Sequence, residues 1–337
     1  MPRPLSSPCP AVPRHLLCAG AASLALLAVG PVAAEAPPLR VLTTVAMIAD
    51  VAAGVAGDCA EVTALLGAGS DPHLHRPTAG DVRRLAEAEL ILYVDPSLEA
   101  RLAEVLAGFA DRTPTVGLAR AAFDAAELLD DPDEAGSIDP HLWMDVSRWA
   151  RIAPVIAEAI SEQRPACAAA MADNVARLTG ELDALHGWVG AAIASIPEGQ
   201  RLLVTAHDAF YYFADAYGIE ASEAIEGIST ESEASIADIR AVAGFVIDRG
   251  VPAVFVETTI SPRTIEALVA EVRGRGHEVR IGGELFSDAM GPAGTPEGSY
   301  VGMIRANTLT IAEALGGTVP DWPAELQGWA EGWGLAP

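Results

Sequence analysis

Between Pro165 and Pro197 the chain runs without a proline, and Met171, Val175, Leu178, Leu182, Leu185, Val189, Ile193 and Ile196 recur at spacings of three and four. That rhythm places the apolar positions on one stripe of a helix. It predicts one amphipathic helix of about 30 residues, roughly 45 Å long at 1.5 Å per residue. Gly180, Gly187 and Gly190 weaken its intrinsic propensity without breaking the pattern. A helix of that length is uncommon inside one α/β domain. It is better explained as a rigid spacer between two lobes.

The sequence on either side supports two lobes. From Arg40, short apolar runs ("LRVLTTV", "AEVTALL", "LILYV", "PTVGL") alternate with amphipathic stretches, the signature of parallel β-α units. After Pro197 the alternation resumes with "RLLVTAH", "ASEAIEGI", "VPAVFVETT" and "HEVRIGGELF". The fold class is therefore α/β, with two mainly parallel lobes joined by one long rigid helix. The boundaries read as 38–162 for the first lobe, 163–197 for the linking helix and 198–337 for the second lobe. Thr230 and Glu233 are spaced as a capping box for the helix that ends at Gly250, and Ile236, Ile239, Ala243 and Val246 are expected to form its buried face. Trp322, Trp329 and Trp333 are expected to pack a terminal helix onto the second lobe.

Residues 1–34 read as a secretory signal peptide. Arg3 and Arg14 precede a 15-residue apolar run from Leu16 to Gly30, and "VAAEA" offers small-residue cleavage sites. The run is too short to span a bilayer. Cys18 lies at its start, so a lipid-anchored cysteine is not expected, and the mature chain is read as periplasmic. Cys59 and Cys167 remain after cleavage. Their spacing leaves a disulfide and two isolated buried thiols equally open.

A formal charge of −25, with 21 basic residues in the whole chain, lacks the electrostatic footprint of a nucleic-acid binder. No "HExxH", Ser-His-Asp pattern or phosphate-cradling glycine loop is visible, so no enzyme is expected. A secreted zinc hydrolase and a metal-dependent adhesin are the alternative functions.

Histidine is scarce, at seven residues, yet the tetrapeptide Asp-Pro-His-Leu occurs twice, beginning at Asp71 and at Asp139. Proline stiffens the loop and biases the preceding residue to an extended conformation, so the histidine leaves in a defined direction. The aspartate is placed to orient an imidazole. His207 ends the apolar run "LLVTAH", and Asp288 follows the last expected strand. His73, His141, His207 and Asp288 thus lie at C-terminal strand edges or in nearby loops, where open α/β sheets collect ligands. Three imidazoles and one carboxylate complete a shell for a divalent transition metal. Because imidazole must be neutral to bind metal, affinity is expected to fall below about pH 6.5. His75, two residues from His73, is read as a non-ligand. His186 and His277 are read as surface residues. Glu257, Thr205 and Ser287 are candidates for supporting hydrogen bonds.

The stretches "GAGSDPHLHRPTAGDVRRL", "DPHLWMDV", "TAHDAFYYFADAYGI", "IEGISTESEAS" and "GGELFSDAMGPAGTPEGSYVGMIRANTLTI" resemble the periplasmic metal-binding receptors of zinc and manganese ABC importers, the TroA-like helical-backbone proteins. The resemblance covers about Arg40 to Leu315. It implies a metal site in the cleft between the lobes, one Zn2+ or Mn2+ per chain, the ligands His73, His141, His207 and Asp288, and delivery to an ABC importer permease in the inner membrane. No nucleic-acid partner is implied, and the receptor is expected to be a monomer. The histidine-rich loop of zinc-specialised relatives is replaced here by acidic "FDAAELLDDPDEAGSID", and zinc against manganese stays open.

Overall fold

The computed structural model describes residues 37–94, 98–131, 136–231 and 234–335. The expected signal peptide and Glu233 lie outside them. In the first lobe, β1 (Leu39–Thr43), α1 (Ala46–Ala56), β2 (Ala60–Ala64), α2 (Ala79–Glu87), β3 (Leu90–Tyr93), α3 (Ala103–Ala110) and β4 (Thr115–Gly117) alternate as the patterning predicts. Their strands form one parallel sheet in the order β2-β1-β3-β4. The central strand β3 reads as a near-continuous apolar run, as burial on both faces of a sheet requires. Leu90, Ile91 and Leu92 of β3 have no exposed surface. Three helices follow: α4 (Leu118–Ala122), α5 (Val146–Ala150) and α6 (Ile152–Gln163).

The linking helix α7 spans Ala168–Ala194, 27 residues, or about 40 Å. Pro165–Cys167 forms a separate 3-10 turn ahead of it, so the α-helix proper starts later than the proline spacing suggests. The expected stripe is the buried face. Met171, Leu182, Leu185, Val189, Ile193 and Ile196 are buried, and Val175 and Leu178 are partly buried against the same core.

The second lobe contains β5 (Leu202–Thr205), α8 (Tyr211–Tyr217), β6 (Ala221–Ala224), α9 (Ile236–Arg249), β7 (Ala253–Glu257), α10 (Arg263–Gly274), β8 (Arg280–Leu285), α11 (Tyr300–Ala314) and α12 (Gln327–Gly332). Strands β5 and β6 pair in parallel, as do β7 and β8. One apolar core joins the first lobe, α7, α8 and α11. A smaller core lies under α9 and α10, built on Val204, Val254, Leu268 and their neighbours.

Three local expectations need correction. The capping box of α9 is Ser235 with Asp238, not Thr230 with Glu233. Ser-x-x-Asp directly precedes the helical run and satisfies the same end groups. Thr230 is used elsewhere. Ile236, expected on the buried face of α9, is 70% exposed because it occupies the first turn. Of the three C-terminal tryptophans, two pack: Trp322 stacks edge-on against Trp188 of α7 at 4.8 Å and lies 5.6 Å from Trp329. Trp333 is exposed.

Cys59 and Cys167 form a disulfide, which ties the turn after α1 to the turn before α7. The loop between Asp288 and α11 is packed tightly on its glycines. A Cβ on Gly302 would stand 1.8 Å from the Pro296 carbonyl oxygen, so only glycine fits that first turn of α11. No helix among the described residues is long and apolar enough to cross a membrane.

Candidate metal centre

Four side chains from four separate segments meet between the lobes. His73 stands in the loop after β2, and His207 lies two residues beyond the end of β5. Asp288 lies three residues beyond β8. His141 departs from the expected pattern, since it follows no strand. It opens the 3-10 turn Leu142–Met144 ahead of α5, after a stretch whose only described sheet pairing is the single bridge of Asp130 to Ile138.

The donor atoms of His73, His141, His207 and Asp288 lie within 4.8 Å of one another, and all four residues are buried. His141 Nε2 is 3.2 Å from Asp288 Oδ1, and His207 Nε2 is 3.3 Å from Asp288 Oδ2. His73 Nε2 is 3.3 Å from His141 Nε2 and 3.7 Å from Asp288 Oδ2. Four donors, each ~2.0–2.1 Å from a tetrahedral ion, stand ~3.4 Å apart. These four separations bracket that edge length, and the remaining ones lie within 4.8 Å. Both Asp288 oxygens and His207 Nε2 are buried without a well-directed hydrogen bond. These atoms converge on a common point instead of pairing off, the arrangement a cation would satisfy. Among the described residues, no other group of His, Cys, Asp or Glu converges in this way.

Two of the imidazoles are oriented by a second carboxylate. Asp139 Oδ1 accepts both the backbone N–H of His141, at 2.9 Å, and a hydrogen bond from Nδ1 of its ring, at 2.7 Å. Asp-Pro-His therefore works at this copy as its chemistry suggests. Glu257, the last residue of β7, places Oε2 2.6 Å from His207 Nδ1. Its Oε1 accepts the backbone N–H groups of Ala206 and His207. Thr205 donates to the His207 carbonyl at 2.9 Å, and the Ser287 carbonyl accepts from the Trp143 indole.

The other copy behaves differently. Asp71 Oδ1 accepts the backbone N–H groups of His73 and Leu74, but its Oδ2 turns away from the imidazole to accept from Thr230 Oγ1 at 2.7 Å. Sequence reasoning missed Thr230, because a threonine that bridges two loops carries no local pattern. His75 is not among the convergent donors. Its Nε2 lies 3.1 Å from Asp81, inside the capping box of α2. His277 is exposed, whereas His186 is half-buried and its Nδ1 faces the Tyr217 hydroxyl at 3.1 Å.

Burial and charge set the protonation of the cluster. Burial pushes His73 down to about 3, against the pull of Asp288. At His141 burial also disfavours charge, but Asp139 and Asp288 outweigh it and hold the imidazole up to about 9. At His207 burial is outweighed by Glu257 and Asp288, and the pKa stands well above its ordinary value. Burial resists ionisation of Asp288, yet His207 and His141 hold its carboxyl well below the usual range. In the metal-free protein, protons on His141 and His207 therefore balance Asp288, Asp139 and Glu257. A divalent cation would replace those protons.

Residues 41–314 match the family model described as zinc-uptake complex component A, periplasmic. The chain is 41% identical over 283 residues to the zinc-binding protein TroA of Treponema pallidum (strain Nichols), covering 84% of this chain and 90% of that protein. It is 37% identical over 277 residues to the manganese-binding lipoprotein MntA of Bacillus subtilis (strain 168), covering 82% and 90%. The solved structure of the periplasmic zinc-binding protein TroA from Treponema pallidum superposes with a TM-score of 0.79 at 40% identity, covering 82% of this chain and 99% of that one.

Proposed function

Because the chain belongs to the zinc-uptake complex component A family of periplasmic receptors, we propose that His73, His141, His207 and Asp288 hold the single metal ion that it carries. The protein is a substrate-binding component of the metal-import kind: it captures a divalent transition metal, zinc or manganese, and delivers it to an ABC-type importer. One observation carries the ligand assignment. Four buried donors lie within 4.8 Å of one another, four of their contacts at 3.2–3.7 Å, with no hydrogen bond satisfying Asp288. A closed shell of four protein donors suits a carrier, since a catalytic zinc keeps one position open to water.

The finer reading is ours as well. The three imidazoles favour zinc over manganese in affinity, because manganese prefers more oxygen donors. The receptor acts as a monomer in the periplasm, free of a lipid anchor, after removal of residues 1–34. Its lobes run 38–162 and 198–337 about the linker 163–197, and its partner is a permease of the inner membrane. Titration of the metal-free mature protein with zinc tests the ligand set. The expected result is one equivalent bound, with a loss of affinity of at least about a hundredfold in Asp288→Ala and His141→Ala. Unchanged affinity in either variant would overturn the assignment.

A further inference from the structure

His73 is held differently from its three companions. The His141 ring leans on Asp139 and the His207 ring on Glu257, whereas among the described residues the carboxylate contact of the His73 ring is Asp288 itself. The loop carrying His141 is also bolted to the second lobe by buried bonds. The Trp143 indole donates to the Ser287 carbonyl, and the Tyr300 hydroxyl donates to the Trp143 carbonyl at 2.6 Å. Pro72 and His73 are buried, but the next residue, Leu74, is 42% exposed.

What reaches the His73 loop from the other lobe is polar. Thr230 donates to Asp71 Oδ2 across the cleft, while Asp71 Oδ1 fixes the backbone of His73 and Leu74. Outside that pair, Arg101 donates to the Leu74 carbonyl at 3.4 Å and pairs with Glu231. Thr230 and Glu231 are neighbours in the loop before α9. One second-lobe turn thus reaches the His73 loop directly through Thr230, which is 9% exposed, and indirectly at the surface, where Glu231 holds the Arg101 that bonds Leu74. From these contacts we infer that Asp71 and Thr230, backed by Arg101 and Glu231, form a strap that positions His73 and sets how long the ion is held.

The physical reasoning separates the two halves of the strap. A hydrogen bond to a carboxylate that is shielded from water is stronger than one between neutral groups. The outer ion pair is half-exposed and screened by salt, so it contributes less. Opening the strap would let His73 retreat with its loop while His141, His207 and Asp288 stay fixed by their own supports. A four-donor shell then becomes a three-donor shell, and the ion can leave. Asp71, Thr230, Arg101 and Glu231 are positioning residues. None of them is among the convergent donors.

This inference rests on the receptor reading, and the test distinguishes the two. Thr230 is the cleaner probe, because replacing Asp71 would also free the backbone of His73. Zinc-loaded unaltered protein, Thr230→Val, Thr230→Ser and Arg101→Gln are mixed with excess chelator, and zinc release is followed by stopped flow. Thr230→Val should release zinc about tenfold faster, equivalent to roughly 1.4 kcal/mol, with little change in association rate. Thr230→Ser should restore the slow rate, and the thermal midpoint of metal-free Thr230→Val should stay near that of the unaltered protein. Arg101→Gln should accelerate release less, and only at low salt. Equal release rates in Thr230→Val and the unaltered protein would overturn the strap while leaving the receptor intact. Failure of serine to rescue would overturn it too. Absence of stoichiometric zinc in the unaltered protein would overturn the receptor reading, and the strap with it.

Discussion

At the residue scale, the cluster holds protons on imidazoles that the proposed metal ion would have to displace. His141, held up to about 9, and His207, raised well above its ordinary value, are charged at neutral pH in the metal-free protein. His73 is already neutral, because burial pushes it down. Metal capture must therefore expel protons from His141 and His207. The expected outcome is a zinc affinity that climbs at least about tenfold per pH unit from pH ~6 to ~8, the slope of one or more released protons. Calorimetry in buffers of differing ionisation enthalpy checks it, and a pH-independent constant would contradict it. The sign for stability is opposite. A raised imidazole stabilises the metal-free fold below about 6.5, and that contribution fades as pH rises through about 9. The sequence alone supplies only the unperturbed value near 6.5, because neither Glu257 nor Asp288 is near a histidine in sequence. Asp139 is the exception. Its role was legible two residues from His141, and Asp139→Ala should lower zinc affinity about 10–100-fold by freeing the ring. An affinity within twofold of the unaltered protein would show that the ring needs no such partner.

At the element scale, the periodic parts were the legible ones. The stripe of α7 and the alternation of strands and helices are local patterns, repeated over enough residues to outweigh chance. The candidate ligands were legible in two ways: His207 and Asp288 as polar residues following apolar runs, and His73 and His141 through a repeated motif that also carries a family resemblance. What escaped was non-local. The true cap of α9 competed with a second plausible box five residues upstream. Among the described residues, the loop before His141 forms no strand beyond one isolated bridge. The pairing of Cys59 with Cys167 joins residues 108 apart, which spacing alone could not decide. That bond anchors α1 to the start of α7, where Asn174 also donates to the Val55 carbonyl. Closing so long a loop restricts the unfolded chain, and its loss typically costs about 2–5 kcal/mol. A Cys59→Ala, Cys167→Ala double variant should unfold at correspondingly lower denaturant while still binding one zinc. A midpoint equal to that of the parent would show that the bridge does not stabilise the fold.

At the scale of the whole molecule, one apolar core runs through the first lobe, along α7 and into α8 and α11. Tyr217 and Tyr212 add bonds to the backbone of Val146 and Leu129 across the same boundary. A body joined this way resists wide hinge motion, which would have to break a continuous packed core. Metal-free and zinc-loaded protein should then give nearly superimposable small-angle scattering, with differences confined to loop rearrangement near His73. A large contraction on adding zinc would mean that the core parts between the lobes. The central claim concerns which atoms hold the ion, and zinc K-edge X-ray absorption on the loaded mature protein addresses it most directly. Three imidazole nitrogens and one carboxylate in the first shell, at ~2.0–2.1 Å, with one nitrogen shell lost in His73→Ala, is the predicted spectrum. A shell with one imidazole or none, or one that His73→Ala leaves unchanged, would contradict the account.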